Sequence, residues 1–207
     1  TRNIEGLIRS TIPALIARSL ALAFFSGTLT FTVAFAAALA LRNKPGGWWR
    51  LLFQLPMGLS MIGLAMGLRI LFGEKIPPFV LVAIGQFFLA LPMVFRIVDT
   101  VVCDLQTALV DCARSLGATR GYLLRTIHLP VLGRGLLNGY AFSLAVVFAD
   151  FAIVLGVGGG DIVTFPVAIY RLIGFRSFDL ALSLSVIYIL FCLMLFLLID
   201  MSTLRGG

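Results

Sequence analysis

Charge is scarce in this chain of 207 residues. Only 12% of it is Asp, Glu, Lys or Arg, against about 25% in soluble domains. Histidine occurs once, as His128, which excludes a histidine-built metal cluster. The three cysteines, Cys103, Cys112 and Cys192, are odd in number and form no C-x-x-C pair, so neither a disulfide framework nor a metal site is expected. No G-x-x-x-x-G-K-[ST] stretch is present, so the chain has no phosphate cradle for ATP of its own. Basic and aromatic residues are not interleaved: the 18 Phe lie in apolar runs, and the net charge of +7 is not read as a nucleic-acid footprint. No catalytic residue and no cofactor are expected.

What the chain has in excess is apolar surface. It is 60% hydrophobic, with a mean hydropathy of +1.09. That surface cannot be hidden in a water-soluble fold of this length, so most of it is expected to face lipid or neighbouring spans. About five apolar runs of roughly 20 residues can be drawn, the length a helix needs to cross the bilayer. They cover 19–41, 51–72 (interrupted by Pro56), 79–102 (with Pro92), 135–155 and 180–199. In lipid every backbone polar group must be satisfied within its own segment, so these runs are helices and the fold is all-α. The prolines are read as kinks, because the apolar run continues past each. The glycines at 156–160 are expected to end the fourth span. Segment 162–173 is too short to cross and reads as a re-entrant or interfacial helix.

Lys and Arg in short loops set orientation. Loop 42–50, with Arg42, Lys44 and Arg50, and loop 103–134, with Arg114, Arg120, Arg125 and Arg134, are placed in the cytoplasm. The Glu74–Lys75 loop and the glycine-rich loop then lie outside. Arg2, Arg9 and Arg18 oppose this assignment, since an odd number of spans puts the termini on opposite sides. Trp48 and Trp49 suit an interfacial aromatic belt.

Loop 103–134 carries the most information. Leu105, Ala108, Leu109, Cys112, Ala113 and Leu116 recur at helical spacing, with polar residues between them, which predicts an amphipathic helix. Gly117 stands where a helix ends in a left-handed residue. Thr119 can cap a second short helix whose apolar side is Leu123, Leu124 and Ile127. The expected product is two short helices at an angle, apolar backs toward the bundle and a polar corner displayed. A solvated loop that happens to be helical fits the same pattern.

The run Asp111-Cys112-Ala113, then Gly117, then Ile127-His128-Leu129-Pro130 resembles the EAA loop of permease subunits of type I, binding-protein-dependent ABC importers. That pattern is Glu-Ala-Ala, three residues, Gly, nine residues, Ile-x-Leu-Pro, and every interval is kept here. Asp111 replaces Glu, shortening the carboxylate's reach by one methylene, and Cys112 replaces Ala. The resemblance covers essentially the whole chain and implies a single permease domain over 1–207, or the C-terminal half of a fused two-half permease. It implies a coupling loop at 103–134 between the third and fourth spans. Asp111, Cys112, Ala113, Arg114, Gly117, Ala118, Thr119, Arg120, Ile127, Leu129 and Pro130 would make or support contact with a cytoplasmic ABC ATPase dimer. The other implied partners are a second permease half or copy, an extracytoplasmic solute-binding protein and the lipid of a bacterial inner membrane. Phe148-Ala149-Asp150-Phe151, Gly158-Gly159-Gly160 and Val167-Ala168-Ile169-Tyr170 are similar to permeases for ferric iron and thiamine; sulfate or molybdate, polyamine and phosphonate permeases are the alternatives.

Polar residues within spans are costly and default to functional hypotheses. Ser143 and Asp150, seven residues apart, share a helix face and are candidate pathway residues together with Asn138; Asp150 can instead reach the interface or cap the glycine-rich loop. Arg96 and Asp99, three apart, are expected to pair along their helix, and Arg69 to snorkel outward. An ion-coupled carrier would need carboxylates in several spans, and an intramembrane enzyme would need a cluster that one histidine does not supply.

Overall fold

A computed structural model of the chain describes residues 2–42, 47–103, 113, 115–123, 129–158 and 161–204. All regular elements among them are helical: α1 (Arg2–Leu41), α2 (Trp48–Gln54), a 3-10 turn (Leu55–Gly58), α3 (Met61–Phe72), α4 (Pro78–Cys103), α5 (Arg120–Leu123), α6 (Leu129–Phe148), α7 (Ala152–Gly158), α8 (Phe165–Gly174) and α9 (Phe178–Leu204).

Helix α4 is the axis of the bundle. One side of it, from Leu81 and Val82 through Ala90, Val94 and Val98 to Val102, is almost fully buried. Helix α1 packs along it with a stripe of small residues, Ser19, Ser26, Thr30, Ala34 and Ala38, all buried. Between lipid-embedded helices no water-driven attraction operates, so close backbone approach and interhelical hydrogen bonds hold the pair. Gly139 of α6 closes on the same axis, where an added β-carbon would lie 3.0 Å from Val98 Cγ2.

Two helices are long and apolar enough to cross a membrane, Pro13–Leu41 and Pro78–Cys103, and two bent pairs supply one further crossing each if counted as single spans. The segment read as the fifth span is α9, 27 residues long, of which Phe178–Met194 forms a described apolar stretch.

Two expectations about these spans are corrected. The second is not one kinked helix: α2 and α3 meet at 87°. Pro56 ends α2 in a 3-10 turn, Leu59 is extended, and Ser60 restarts the helix by accepting the Gly63 N–H at 3.4 Å. The fourth span is not continuous to the glycines. It breaks at Asp150, with a 51° bend between α6 and α7, because the Asp150 carboxylate caps α7 by accepting the Ile153 N–H at 3.2 Å. Segment 162–173 forms the ten-residue α8, whose first N–H, from Phe165, is donated to Ser19 Oγ at 3.2 Å.

Helix α7 is enclosed between α3 and α4. A β-carbon on Gly156 would lie 2.7 Å from Ala65 Cβ, and one on Gly85 2.5 Å from Ile153 Cγ2. These glycines serve close approach. Gly156→Val is therefore expected to destabilise the detergent-solubilised chain by about 1–3 kcal/mol, the usual cost of overpacking. Gly67→Ala, where the new methyl meets nothing within 4 Å, is the matched control and should leave the thermal midpoint unchanged or slightly raised.

Candidate functional site

The described residues of the loop that carries the motif, 113 and 115–123, form a corner. The Ala118 N–H reaches back to the Ala113 carbonyl at 3.1 Å, and Gly117 between them has φ +85°. That six-to-one bond around a left-handed residue closes a helix end. Thr119 then opens α5: its Oγ1 accepts the Tyr122 N–H at 3.4 Å and its carbonyl accepts the Leu123 N–H at 3.0 Å. Leu123 is buried in the larger apolar core, with Ala113 and Ala118 packed against it. The glycine stop, the threonine cap and the apolar back of Leu123 all match the sequence expectation.

One residue departs from it. Leu116, assigned to the buried stripe, is 83% exposed. The helix ends at the residue before it, and the Gly117 turn takes Leu116 out of phase with Ala113. Tyr122 of α5, which the sequence reading did not single out, is 57% exposed. The displayed surface therefore combines the polar Ser115 and Thr119 with two large apolar groups. Asp111, Cys112, Arg114, Ile127 and His128 lie outside the described residues, and Arg120, Leu129 and Pro130 are described as helical backbone alone.

An ion pair stands at the same end of α4. Arg50 Nε donates to Asp99 Oδ2 at 2.8 Å, and Arg50 Nη2 to Cys103 Sγ at 3.3 Å. This corrects the expected Arg96–Asp99 pair: α2 packs across the end of α4 and brings Arg50 to Asp99. The Arg50 and Asp99 side chains are 30% and 16% exposed, so Asp99→Asn is expected to cost at most about 1 kcal/mol, read as a small shift in the thermal midpoint.

The bundle interior holds a polar chain through three elements. Ser26 Oγ of α1 donates to Gln86 Oε1 of α4 at 3.0 Å, and Gln86 Nε2 donates to Asp150 Oδ2 at 3.2 Å. Asp150 Oδ1 caps α7 as described. Ser143 Oγ donates to the Gly27 carbonyl at 2.8 Å. The structure thus places Ser143 and Asp150 inside the subunit, each engaged with a neighbouring helix, whereas Asn138 is exposed on α6. Gln86 was missed by the sequence reading, although a lone amide in the apolar run 78–95 is the kind of residue that asks for a partner.

The far end of α4 is about 39 Å from Cys103 at 1.5 Å per residue. There a cleft of about 570 Å³ opens between α3, the 73–76 turn, α4 and the end of α7. Arg69, expected to snorkel outward, is exposed at this end and also donates from Nη1 to the Val157 carbonyl at the end of α7, at 3.1 Å.

No protein-family profile matches the chain. It is 25% identical over 211 residues to the 2-aminoethylphosphonate transport system permease protein PhnV of Salmonella typhimurium, covering 99% of this chain and 79% of that protein. It is 29% identical over 113 residues to the thiamine transport system permease protein ThiP of Escherichia coli, covering 54% of this chain and 21% of ThiP. The inward-facing MetNI methionine ABC transporter has a chain that superposes with a TM-score of 0.77 at 17% identity, covering 97% of this chain and 98% of that one. The motif read at 111–130, the helical bundle and these likenesses point the same way: the chain is similar to the permease subunits of ABC importers and has their type I fold.

Proposed function

We propose that the chain forms one side of the solute path of an ATP-driven importer in a bacterial inner membrane and catalyses no covalent reaction itself. In this reading the corner 113–123 is the element on which a cytoplasmic ABC ATPase dimer acts. The observation that supports it most directly is the corner's construction. Gly117 and Thr119 fix its shape, Leu123 anchors it in the core, and Leu116 and Tyr122 stand out from a polar surface. Exposed apolar groups on a rigid frame suit a protein partner, since little ordering entropy is lost on docking. Asp111, Arg114 and Arg120 would add the charged contacts. Closure of the ATPase dimer would push the corner and tilt the spans between inward-facing and outward-facing states. A second permease copy or half would complete the path, with Asn138 facing it, and Ser143 and Asp150 would hold the path's wall. A solute-binding protein would dock at the opposite face.

For the solute, the PhnV likeness extends over nearly the whole chain and the ThiP likeness over half, so an organophosphonate is favoured over thiamine. The test co-expresses the chain with its cognate ATPase and joins Thr119→Cys to single cysteines in the ATPase with a short bifunctional reagent. Capture at Thr119 with none at Lys75→Cys is expected. Capture at Lys75 in place of Thr119, or solute uptake by proteoliposomes lacking any ATPase, would overturn the reading.

A further inference from the structure

The cleft at the far end of α4 has a charge arrangement that the transport reading does not use. Four charged side chains line it: Arg69 and Lys75, Glu74 and Asp161. Among the described residues none of the four forms an ion pair with another; the pair Arg50–Asp99 lies at the other end of α4. Arg69 gives one N–H to Val157 and keeps further guanidinium donors. Two cations and two anions that make no direct ion pair with one another surround a space whose volume falls in the range of small-ligand sites. The same helix shows Ile70 and Leu71, at 81% and 67% exposed, on the cleft's rim. Apolar groups that exposed, one and two residues from an arginine, mark the level where hydrocarbon gives way to headgroups.

We infer that this cleft is a binding site for a zwitterion carrying an amine and a phosphate or phosphonate. The anionic group would be held by Arg69 and Lys75 and the ammonium by Glu74 and Asp161. Arginine and lysine donate charge-assisted hydrogen bonds to phosphoryl oxygens, and carboxylates accept them from an ammonium. A group of one sign alone would leave the other pair of side chains unanswered. A phosphatidylethanolamine headgroup and a free aminoalkyl phosphate share this chemistry. The soluble arm of this inference rests on the organophosphonate reading of the solute; the lipid arm does not, and neither needs the coupling reading, because binding needs neither nucleotide nor ATPase.

The test uses the full chain in nanodiscs. In the first arm, discs contain equal phosphatidylethanolamine and phosphatidylglycerol, and native mass spectrometry counts the lipid retained. In the second, O-phosphoethanolamine is titrated calorimetrically into the chain in phosphatidylglycerol discs. Both are repeated with the triple variant Glu74→Gln, Lys75→Gln, Asp161→Asn, whose positions are exposed and outside the packed core. Preferential retention of phosphatidylethanolamine assigns a lipid source, and calorimetric binding assigns a soluble one. Either supports the site if the triple variant weakens it by about tenfold or more, as the loss of charged hydrogen bonds should. No preference and no heat, or binding equal in the triple variant, would overturn it.

Discussion

Gly117→Pro is expected to abolish solute-stimulated ATP hydrolysis by the assembled transporter while leaving the chain inserted and folded. Gly117 has φ +85°, and proline is held near −65°, so the corner cannot keep its shape. The bond from Ala118 to Ala113 would be lost and Leu116 re-aimed. A β-carbon at this position meets nothing within 4 Å, which separates backbone strain from crowding. Gly117→Ala should therefore lower stimulation only in part, since a left-handed alanine costs roughly 1–2 kcal/mol. The assay compares ATP hydrolysis with and without solute-loaded binding protein, alongside circular dichroism to confirm the helical fold. Full stimulation in the proline variant would discard the corner as the coupling element.

Asp150→Leu is expected to give a large loss of stability. The carboxylate satisfies the Gln86 amide and the Ile153 N–H at once, and Asp150 is 7% exposed. Leucine strands both donors in the bundle, at about 1–3 kcal/mol each, for a total of roughly 2–5 kcal/mol. Asp150→Asn should be far milder. Its carbonyl can still cap Ile153, and a flipped Gln86 can accept from the new amide while donating to Ser26 Oγ. Ser26→Ala removes one interhelical bond, worth about 0.6 kcal/mol on average in membranes. Thermal unfolding in detergent should therefore rank the variants Leu well below Asn, with Ala close to the parent. Equal midpoints for Leu and Asn would mean that the break in the fourth span is held by packing alone.

The sequence was most legible where the governing chemistry is local. Gly117 and Thr119 announce a helix stop and a helix start by residue type, and both perform those roles. The apolar runs announce spans because length and hydropathy suffice. Breaks within the spans were harder to see. Pro56 marks an interruption, but the 87° turn depends on Leu59 being extended and Ser60 restarting the helix. At 150 the signal was present and misassigned: the last helical piece does end within the glycine cluster, at Gly158, but the aspartate breaks the span before it and Gly156 serves contact with Ala65. Pairings across the bundle were least legible. Spacing along α4 favours Arg96 for Asp99, and nothing local reveals that α2 will present Arg50 there. The polar chain through Gln86 is likewise a property of three elements brought together.

Along α4, Gln86 also lies between residues of two apolar cores, Ala90 of one and Val82 of the other. One gathers Phe95, Leu123 and Phe148; the other gathers Leu81, Ala65 and Ile153. In the proposed coupling, force applied at the 113–123 elbow would enter the first of these through Leu123, which is buried in it. It would reach the second, which holds Leu81 of the cleft wall, through the serine–amide–carboxylate seam, the continuous shaft of α4 and Val163, which packs on both cores. Interlocked side chains resist slippage, whereas hydrogen bonds can exchange partners, so under that coupling this seam is where the two cores would shift against each other.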